Sequence, residues 1–111
     1  MGDWSEGIER EPRIRPPVHP GEMVREEWLE PLGMNANQLA MALGVSRQNV
    51  YEIVNEKRGL SPEMALRLAR WSGTSDRFWM NLQSRYDYET AKIQHSGRID
   101  REVRPLDTAA R

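Results

Sequence analysis

The 111-residue sequence contains no cysteine, only two histidines and no long hydrophobic run. Without cysteine it can form neither disulfides nor thiolate metal sites, and His19 and His95 lie too far apart in sequence to predict a metal site. No segment approaches the roughly 20 apolar residues that span a bilayer, and the start lacks the basic-then-apolar pattern of a signal peptide. We therefore expect a cytoplasmic protein without a membrane span, a metal or a cofactor.

The sequence also lacks an excess of positive charge, which is the usual mark of a nucleic-acid-binding protein. Its net charge is −1, but the charges are unevenly distributed: residues 1–30 carry −4, residues 31–75 carry +2 and residues 76–111 carry +1. The middle of the chain can therefore meet phosphate groups, although its charge alone does not predict that it does so.

Signs of catalysis are missing as well. The sequence has no nucleophile motif, no glycine-rich phosphate loop and no pair of histidines at metal-ligand spacing. His19 directly precedes Pro20, at the start of a predicted helix, and we expect it to cap that helix or to face solvent. The protein is therefore predicted not to be an enzyme.

What the sequence does contain is five amphipathic segments with a helical period, and no segment that alternates like a strand. The prolines that break any helix before residue 19 are Pro12, Pro16 and Pro17. We predict an all-α protein with a flexible arm at residues 1–18, one domain at residues 19–95 and a charged tail at residues 96–111. The fifth helix is expected to end at about Ile93.

The first helix is predicted to begin at Pro20 and to end at Pro31 and Gly33. Its apolar stripe consists of Val24, Trp28, Leu29 and Leu32. Polar residues then mark the later helix starts. Asn35 and Gln38 have capping-box spacing, and Ser46, Ser61 and either Thr74 or Ser75 are placed to cap the third, fourth and fifth helices.

The second and third helices are separated only by a very short segment around Gly44, which is the arrangement of a helix-turn-helix motif. In such a motif the start of the later helix enters the DNA major groove. The Arg47 guanidinium suits guanine and the Gln48 amide suits adenine, each pair being worth about 1–3 kcal/mol of discrimination. Glu52 can accept from cytosine or can orient a neighbouring side chain.

The predicted DNA-binding residues are Asn35, Gln38, Ser46, Arg47, Gln48, Asn49, Tyr51, Glu52, Asn55, Lys57 and Arg58. Those outside the third helix are placed to contact phosphates on either side of the base-reading residues. The ordinary alternative is a polar, solvent-facing surface on a helical bundle. Glu52 and Glu56 would repel phosphates, so at least one of them is expected to point away.

Several runs of the sequence carry a family resemblance. They read PGEMVREEWLEPLG at residues 20–33, LGVSRQ at 43–48, KRGLSPEMALRLA at 57–69 and FWMNLQ at 78–83. In this order and spacing the chain resembles HigA-type antitoxins of the Xre/Cro helix-turn-helix family over roughly residues 18–93. Glu56 departs from the family, which often has glycine there. The arm before Val18 and the tail from Ser96 have no matching counterpart.

The resemblance implies a five-helix, lambda-repressor-like DNA-binding domain that forms a homodimer on palindromic operator DNA. It also implies an antitoxin that silences a RelE-like ribonuclease toxin of the HigB kind, represses its own operon and is associated with the nucleoid. On these grounds Arg47, Gln48 and Asn49 read bases, while Lys57 and Arg58 meet phosphate. The alternatives are a stand-alone regulator of the same fold and a protein-interaction module that has lost DNA binding.

The fifth predicted helix is rich in aromatic residues, which are common both in cores and in protein interfaces. The predicted dimer interface consists of Phe78, Trp79, Leu82 and Tyr86. We expect Phe78 and Leu82 to lie mostly in the core, and Trp79 with Tyr86 or Tyr88 to lie partly at the interface. Packing of all of them against the first and fourth helices is the ordinary alternative.

Overall fold

The computed structural model describes residues 16–107, and all the secondary structure in that range is helical. Helix α1 is continuous and consists of an α-helical turn, a π-helical segment and a final α-helical turn, at Pro20–Met23, Val24–Leu29 and Glu30–Leu32. The other helices are α2 (Ala36–Leu43), α3 (Arg47–Val54), α4 (Pro62–Ser72) and α5 (Asp76–Glu102). The predicted all-α, five-helix fold is confirmed. The predicted arm falls mostly on residues 1–15 and the end of the predicted tail on residues 108–111, all outside the described residues.

Side-chain caps hold the helix starts at the positions that the sequence predicts. Asn35 Oδ1 accepts from the Gln38 N–H at 2.8 Å and Gln38 Oε1 accepts from the Asn35 N–H at 2.9 Å, which completes a capping box. Ser46 caps α3 and Ser61 caps α4. At the start of α5 the cap is Ser75, whose Oγ accepts from the Phe78 N–H at 3.2 Å.

The turn between α2 and α3 is closed by Gly44 in the left-handed conformation, with φ of 71°. Glycine adopts this conformation at little cost because it has no Cβ. The turn is also tied to α4, because Arg67 Nη1 donates to the Leu43 carbonyl at 2.8 Å. The angle between the two helices is therefore held by the backbone of the turn and by a side chain from a third helix.

The π-helical segment of α1 changes which residues of this helix face the core. Val24 and Leu29 are both buried, at 1% and 6% exposure, although they lie five residues apart and would be about 140° apart around an α-helix. The wider π turn brings them to the same side. Leu32, predicted to continue the stripe, is 57% exposed, so that assignment is wrong; it is the last residue of α1, directly before the left-handed Gly33 that ends the helix.

Helix α5 is longer than the sequence predicts, because it continues past Ile93 and through Gly97 to Glu102. The prediction of its end is wrong since the apolar period fades there while charged residues still sustain the helix. Arg98 and Glu102 form an i,i+4 pair with 4.0 Å between Nε and Oε1. Residues 96–102, assigned to a tail, are thus helical and largely exposed.

The core contains an aromatic cluster of Trp28 from α1, Trp71 from α4, and Phe78 and Trp79 from α5. Trp79 is completely buried. The centroid of its ring lies 6.2 Å from that of Trp28 and 5.0 Å from that of Phe78. Its indole Nε1 donates to Ser72 Oγ at 3.4 Å. The prediction that Trp79 lies at a dimer interface is therefore wrong, because its whole side chain is enclosed by its own chain.

Gly44→Ala is expected to destabilise the fold by more than Gly33→Ala does. Both glycines have φ near 70°, so alanine costs about 1–2 kcal/mol at either position. At Gly44 the new Cβ would also lie 3.3 Å from Arg67 Nη1, whereas nothing lies within 4 Å at Gly33. The free energies of unfolding in urea measure the difference. Equal losses would show that Arg67 makes room for the new Cβ without further loss of stability.

Candidate nucleic-acid interface

Helix α3 buries one side and presents the other to solvent. Val50, Ile53 and Val54 are at most 8% exposed and pack in the core. The exposed side of α3 carries Arg47, Gln48 and Tyr51, and Asn55 follows at its end. Because Ser46 starts the helix after a tight turn, its first turn projects from the body with polar groups outward, which is the geometry that a groove-reading helix needs.

The remaining predicted contact residues of α2 and α3 also lie near this face. Asn35 and Gln38 are exposed, and their capping box uses the amide oxygens, so both amide NH2 groups can still donate. Ser46 Oγ is engaged as the cap of α3 by accepting from the Asn49 N–H at 3.1 Å, and the Asn49 side chain is half-buried. Asn35 and Gln38 thus lie at the start of α2, and Ser46 and Asn49 lie at the start of α3 itself.

Glu52 bridges two predicted contact residues rather than projecting alone. Its Oε2 accepts from Gln48 Nε2 at 2.7 Å, and its Oε1 lies 2.8 Å from Arg58 Nη2. The hydrogen bond from Gln48, together with the positive charge of Arg58, holds the pKa of Glu52 below its ordinary value. Of the two roles left open by the sequence, these contacts favour the orienting one, and contact with cytosine stays a prediction.

Glu56 points away from the predicted phosphate side and toward α1. Its Oε2 lies 3.2 Å from Arg25 Nη2, while Arg25 Nη1 donates to the Val54 carbonyl at the end of α3. Glu56 has φ of 62°, the left-handed conformation that glycine adopts most easily, which accounts for the family's frequent glycine here. Arg25 was missed by the sequence analysis, because a partner 31 residues away leaves no local pattern.

The loop at residues 55–60, which carries Lys57 and Arg58, is anchored to α5. Gln83 is only 8% exposed, and its Oε1 accepts from the buried Leu60 N–H at 2.7 Å. Its Nε2 donates to Asp87 Oδ1 at 3.0 Å. The sequence analysis did not single out Gln83, although a glutamine at a core-facing position of an amphipathic helix is the signal that would have found it.

His19 caps α1 and lies beneath Tyr86. Its Nδ1 accepts from the Gly21 N–H at 2.8 Å, and its ring meets Tyr86 edge-to-face with 4.8 Å between the centroids. Burial lowers the pKa of this imidazole, with smaller opposing effects of the nearby carboxylates.

Tyr86, Phe78 and Leu82 are all partly buried in the single chain, and their predicted role in a dimer stays a prediction.

The face built in this way offers guanidinium, amide, hydroxyl and ammonium groups, which suit base edges and phosphates. Within residues 16–107 there is no cluster of histidine and acidic side chains that could hold a metal ion. In the same range no helix is long and apolar enough to cross a membrane. The arrangement is suited to non-covalent recognition of a polar, anionic ligand.

Comparisons with known proteins agree with this geometry. A family model described as helix-turn-helix matches residues 26–70. Virulence-associated protein I of Dichelobacter nodosus is 45% identical over 96 residues, covering 86% of this chain and 87% of that protein. Antitoxin HigA-1 of Vibrio cholerae is 40% identical over 73 residues, covering 66% and 68%. The solved structure of Pseudomonas aeruginosa antitoxin HigA with the higBA promoter is similar, with a TM-score of 0.79, 47% identity and coverage of 81% of this chain and 98% of that one.

Gln83→Ala is expected to destabilise the protein by about 1–3 kcal/mol, because the buried Leu60 N–H then loses its acceptor. Gln94→Ala, at an exposed position of the same helix, is the matched control and should change stability by less than about 0.5 kcal/mol. Urea unfolding measures both. Identical unfolding free energies for the two variants would show that the loop does not depend on the Gln83 amide.

Proposed function

Because the chain belongs to the HigA-type antitoxins of the Xre/Cro helix-turn-helix family, we propose that it binds operator DNA with the first turn of α3 in the major groove. The observation that carries this proposal is that first turn itself, where Arg47 and Gln48 are exposed at the start of a helix whose later residues Val50, Ile53 and Val54 are buried. It is supported by the similar HigA structure that contains promoter DNA. The family is one of regulators, and this protein is not an enzyme.

Base reading and phosphate contact are assigned to different parts of this face. Arg47 is placed to pair with guanine and Gln48 with adenine. Lys57 and Arg58 contact phosphate on one side, and the amide NH2 groups of Asn35 and Gln38 do so on the other. The exposed residues Ser46, Tyr51 and Asn55 and the half-buried Asn49 complete the surface. Phosphate contacts fix the position of the protein, and the two base readers give the sequence preference.

The protein is proposed to act as a homodimer on a palindromic operator. One short α3 reads only a few base pairs, whereas two-fold pairing places two such helices about 34 Å apart, one turn of DNA. The partly buried Phe78, Leu82 and Tyr86 of α5 are the proposed interface residues, with Tyr88, which is 64% exposed, beside them. Trp79 has no part in this interface because it is enclosed in the core.

The proposed biological role is that of an antitoxin which neutralises a RelE-like ribonuclease toxin and represses its own operon at the nucleoid. The 40% identity to antitoxin HigA-1 of Vibrio cholerae over 73 residues supports this role. A toxin and an operator make separate demands on the surface. The DNA-facing side of α3 is assigned above, so the toxin is expected to contact another face.

Arg47→Ala is expected to lower affinity for the protein's own upstream DNA by about 5- to 150-fold, because it removes a base contact worth about 1–3 kcal/mol. Its affinity for a scrambled duplex should change much less. Lys57→Ala should weaken both and reduce the slope of log affinity against log salt by about 1. Mobility shifts across a salt series measure these effects. Equal losses for both variants on both duplexes would contradict the assigned roles.

A small ribonuclease-like protein encoded beside this gene is expected to arrest growth when it is expressed alone. Co-expression of the present protein should restore growth and should yield a stable complex of the two proteins on purification. Arg47→Ala is the control, since a variant impaired only in DNA contact should restore growth as well as the wild type does. A neighbouring ribonuclease-like protein that neither binds nor is neutralised would contradict the antitoxin role. Operator binding without any toxin would instead indicate a stand-alone regulator.

A further inference from the structure

The Glu52 carboxylate contacts two residues of the proposed DNA interface with separate oxygens. Oε2 accepts from Gln48 Nε2 at 2.7 Å, and Oε1 lies 2.8 Å from Arg58 Nη2. A carboxylate can only accept hydrogen bonds, so the Gln48 group turned toward it is the NH2 group and not the amide oxygen. Glu52 therefore sets which way round the Gln48 amide lies before any DNA is bound.

We propose that Glu52 is a positioning residue that makes Gln48 select adenine over guanine in the major groove. This inference rests on the proposed operator binding and deepens it, because it attributes the base preference of Gln48 to Glu52, the side chain that holds it. Glu52 itself contacts no base in this arrangement. Its effect on base choice is exerted wholly through the hydrogen-bonding groups that it leaves available on Gln48.

The selectivity follows from counting hydrogen-bonding groups. The Gln48 NH2 group has two hydrogens, and one is committed to Glu52. What remains is one donor and the Oε1 acceptor. Adenine presents an acceptor at N7 and a donor at N6, which match this pair, whereas guanine presents two acceptors at N7 and O6.

An unheld glutamine can also satisfy guanine by donating both of its amide hydrogens. Gln48 held by Glu52 has only one hydrogen left, and its Oε1 would face a guanine acceptor without a hydrogen between them. The hydrogen bond to Glu52 therefore removes the one arrangement in which the glutamine side chain can donate two hydrogen bonds to guanine. Specificity is obtained by excluding the wrong partner as well as by matching the right one.

The contact of Glu52 with Arg58 allows this carboxylate to lie near the phosphate backbone of the DNA. Arg58 offsets the negative charge of the carboxylate, and the hydrogen bond from Gln48 together with this positive charge lowers the pKa of Glu52. A guanidinium has five N–H donors, so Arg58 can still donate to phosphate while it contacts Glu52. One carboxylate thus fixes a base reader and a phosphate contact relative to each other.

The test measures dissociation constants by fluorescence anisotropy on the protein's upstream DNA and on duplexes in which each A·T pair of a half-site is replaced by G·C. The Gln48→Ala variant first identifies the base pair that Gln48 reads. It is the pair at which replacement of A·T by G·C lowers the affinity of the wild type but not that of the variant. The wild type should prefer adenine there by about 5- to 150-fold. Glu52→Ala should reduce the adenine-to-guanine affinity ratio several-fold at that position alone. The Gln48→Ala/Glu52→Ala double variant should show the same affinity ratio as Gln48→Ala.

Glu63→Ala is the matched control, because Glu63 also pairs with an arginine, Arg67, and its removal changes the net charge equally. It should leave every base ratio unchanged, so that a general gain in affinity from losing an acid is separated from a change in selectivity. Glu52→Gln keeps an acceptor oxygen but can also turn its own NH2 group toward Gln48, and it should give an intermediate ratio. This variant decides the matter if circular dichroism shows that Glu52→Ala does not fold.

Three results would overturn the inference. An adenine-to-guanine ratio that is unchanged in the Glu52 variants refutes it while leaving operator binding intact. A Gln48→Ala variant that alters no base preference refutes it because Gln48 is then not a reader. A wild-type protein without any preference for its upstream DNA refutes the proposed function, and this inference with it.

Discussion

The arrangement of the molecule depends on the burial of one side of α3. Fully burying an aliphatic side chain is worth about 1.5–3 kcal/mol, and Val50, Ile53 and Val54 are all nearly enclosed. Their position fixes the rotation of α3 about its own axis. Gln48 faces outward as a consequence, because it lies opposite these residues on the helix, whereas Arg47 is exposed because it lies in the first turn of α3. The polar surface is thus a result of core packing rather than of its own interactions.

Three long-range side-chain contacts then hold the segments around α3 in place. Arg25 reaches from α1 to the end of α3, Arg67 from α4 to the turn before it, and Gln83 from α5 to the loop after it. Each ends on a backbone group that no helix satisfies internally. Hydrogen bonds of this kind contribute modestly when made and cost more when a buried group is left unpaired. Helix α3 is therefore supported at both of its ends by side chains from three other helices.

Local features of the fold could be predicted from the sequence, whereas features that depend on distant residues could not. The capping box at Asn35 and the glycine turn at Gly44 are set within a few residues, and both are found where the sequence indicates. Trp79 was misplaced because amphipathic periodicity identifies an apolar face without saying what covers it. The Glu52 contact with Gln48 follows the i,i+4 rule, but the partner of its second oxygen depends on how the following loop folds back.

The π-helical segment of α1 has a consequence for how related sequences should be aligned. Between Val24 and Leu29 the helix contains one residue more than an α-helix needs to bring two buried positions to the same side. A relative with a regular α-helix here would be one residue shorter, and its alignment with this chain would require a gap inside a helix. Alignments that forbid such gaps would shift every later position of α1 by one and pair buried residues with exposed ones.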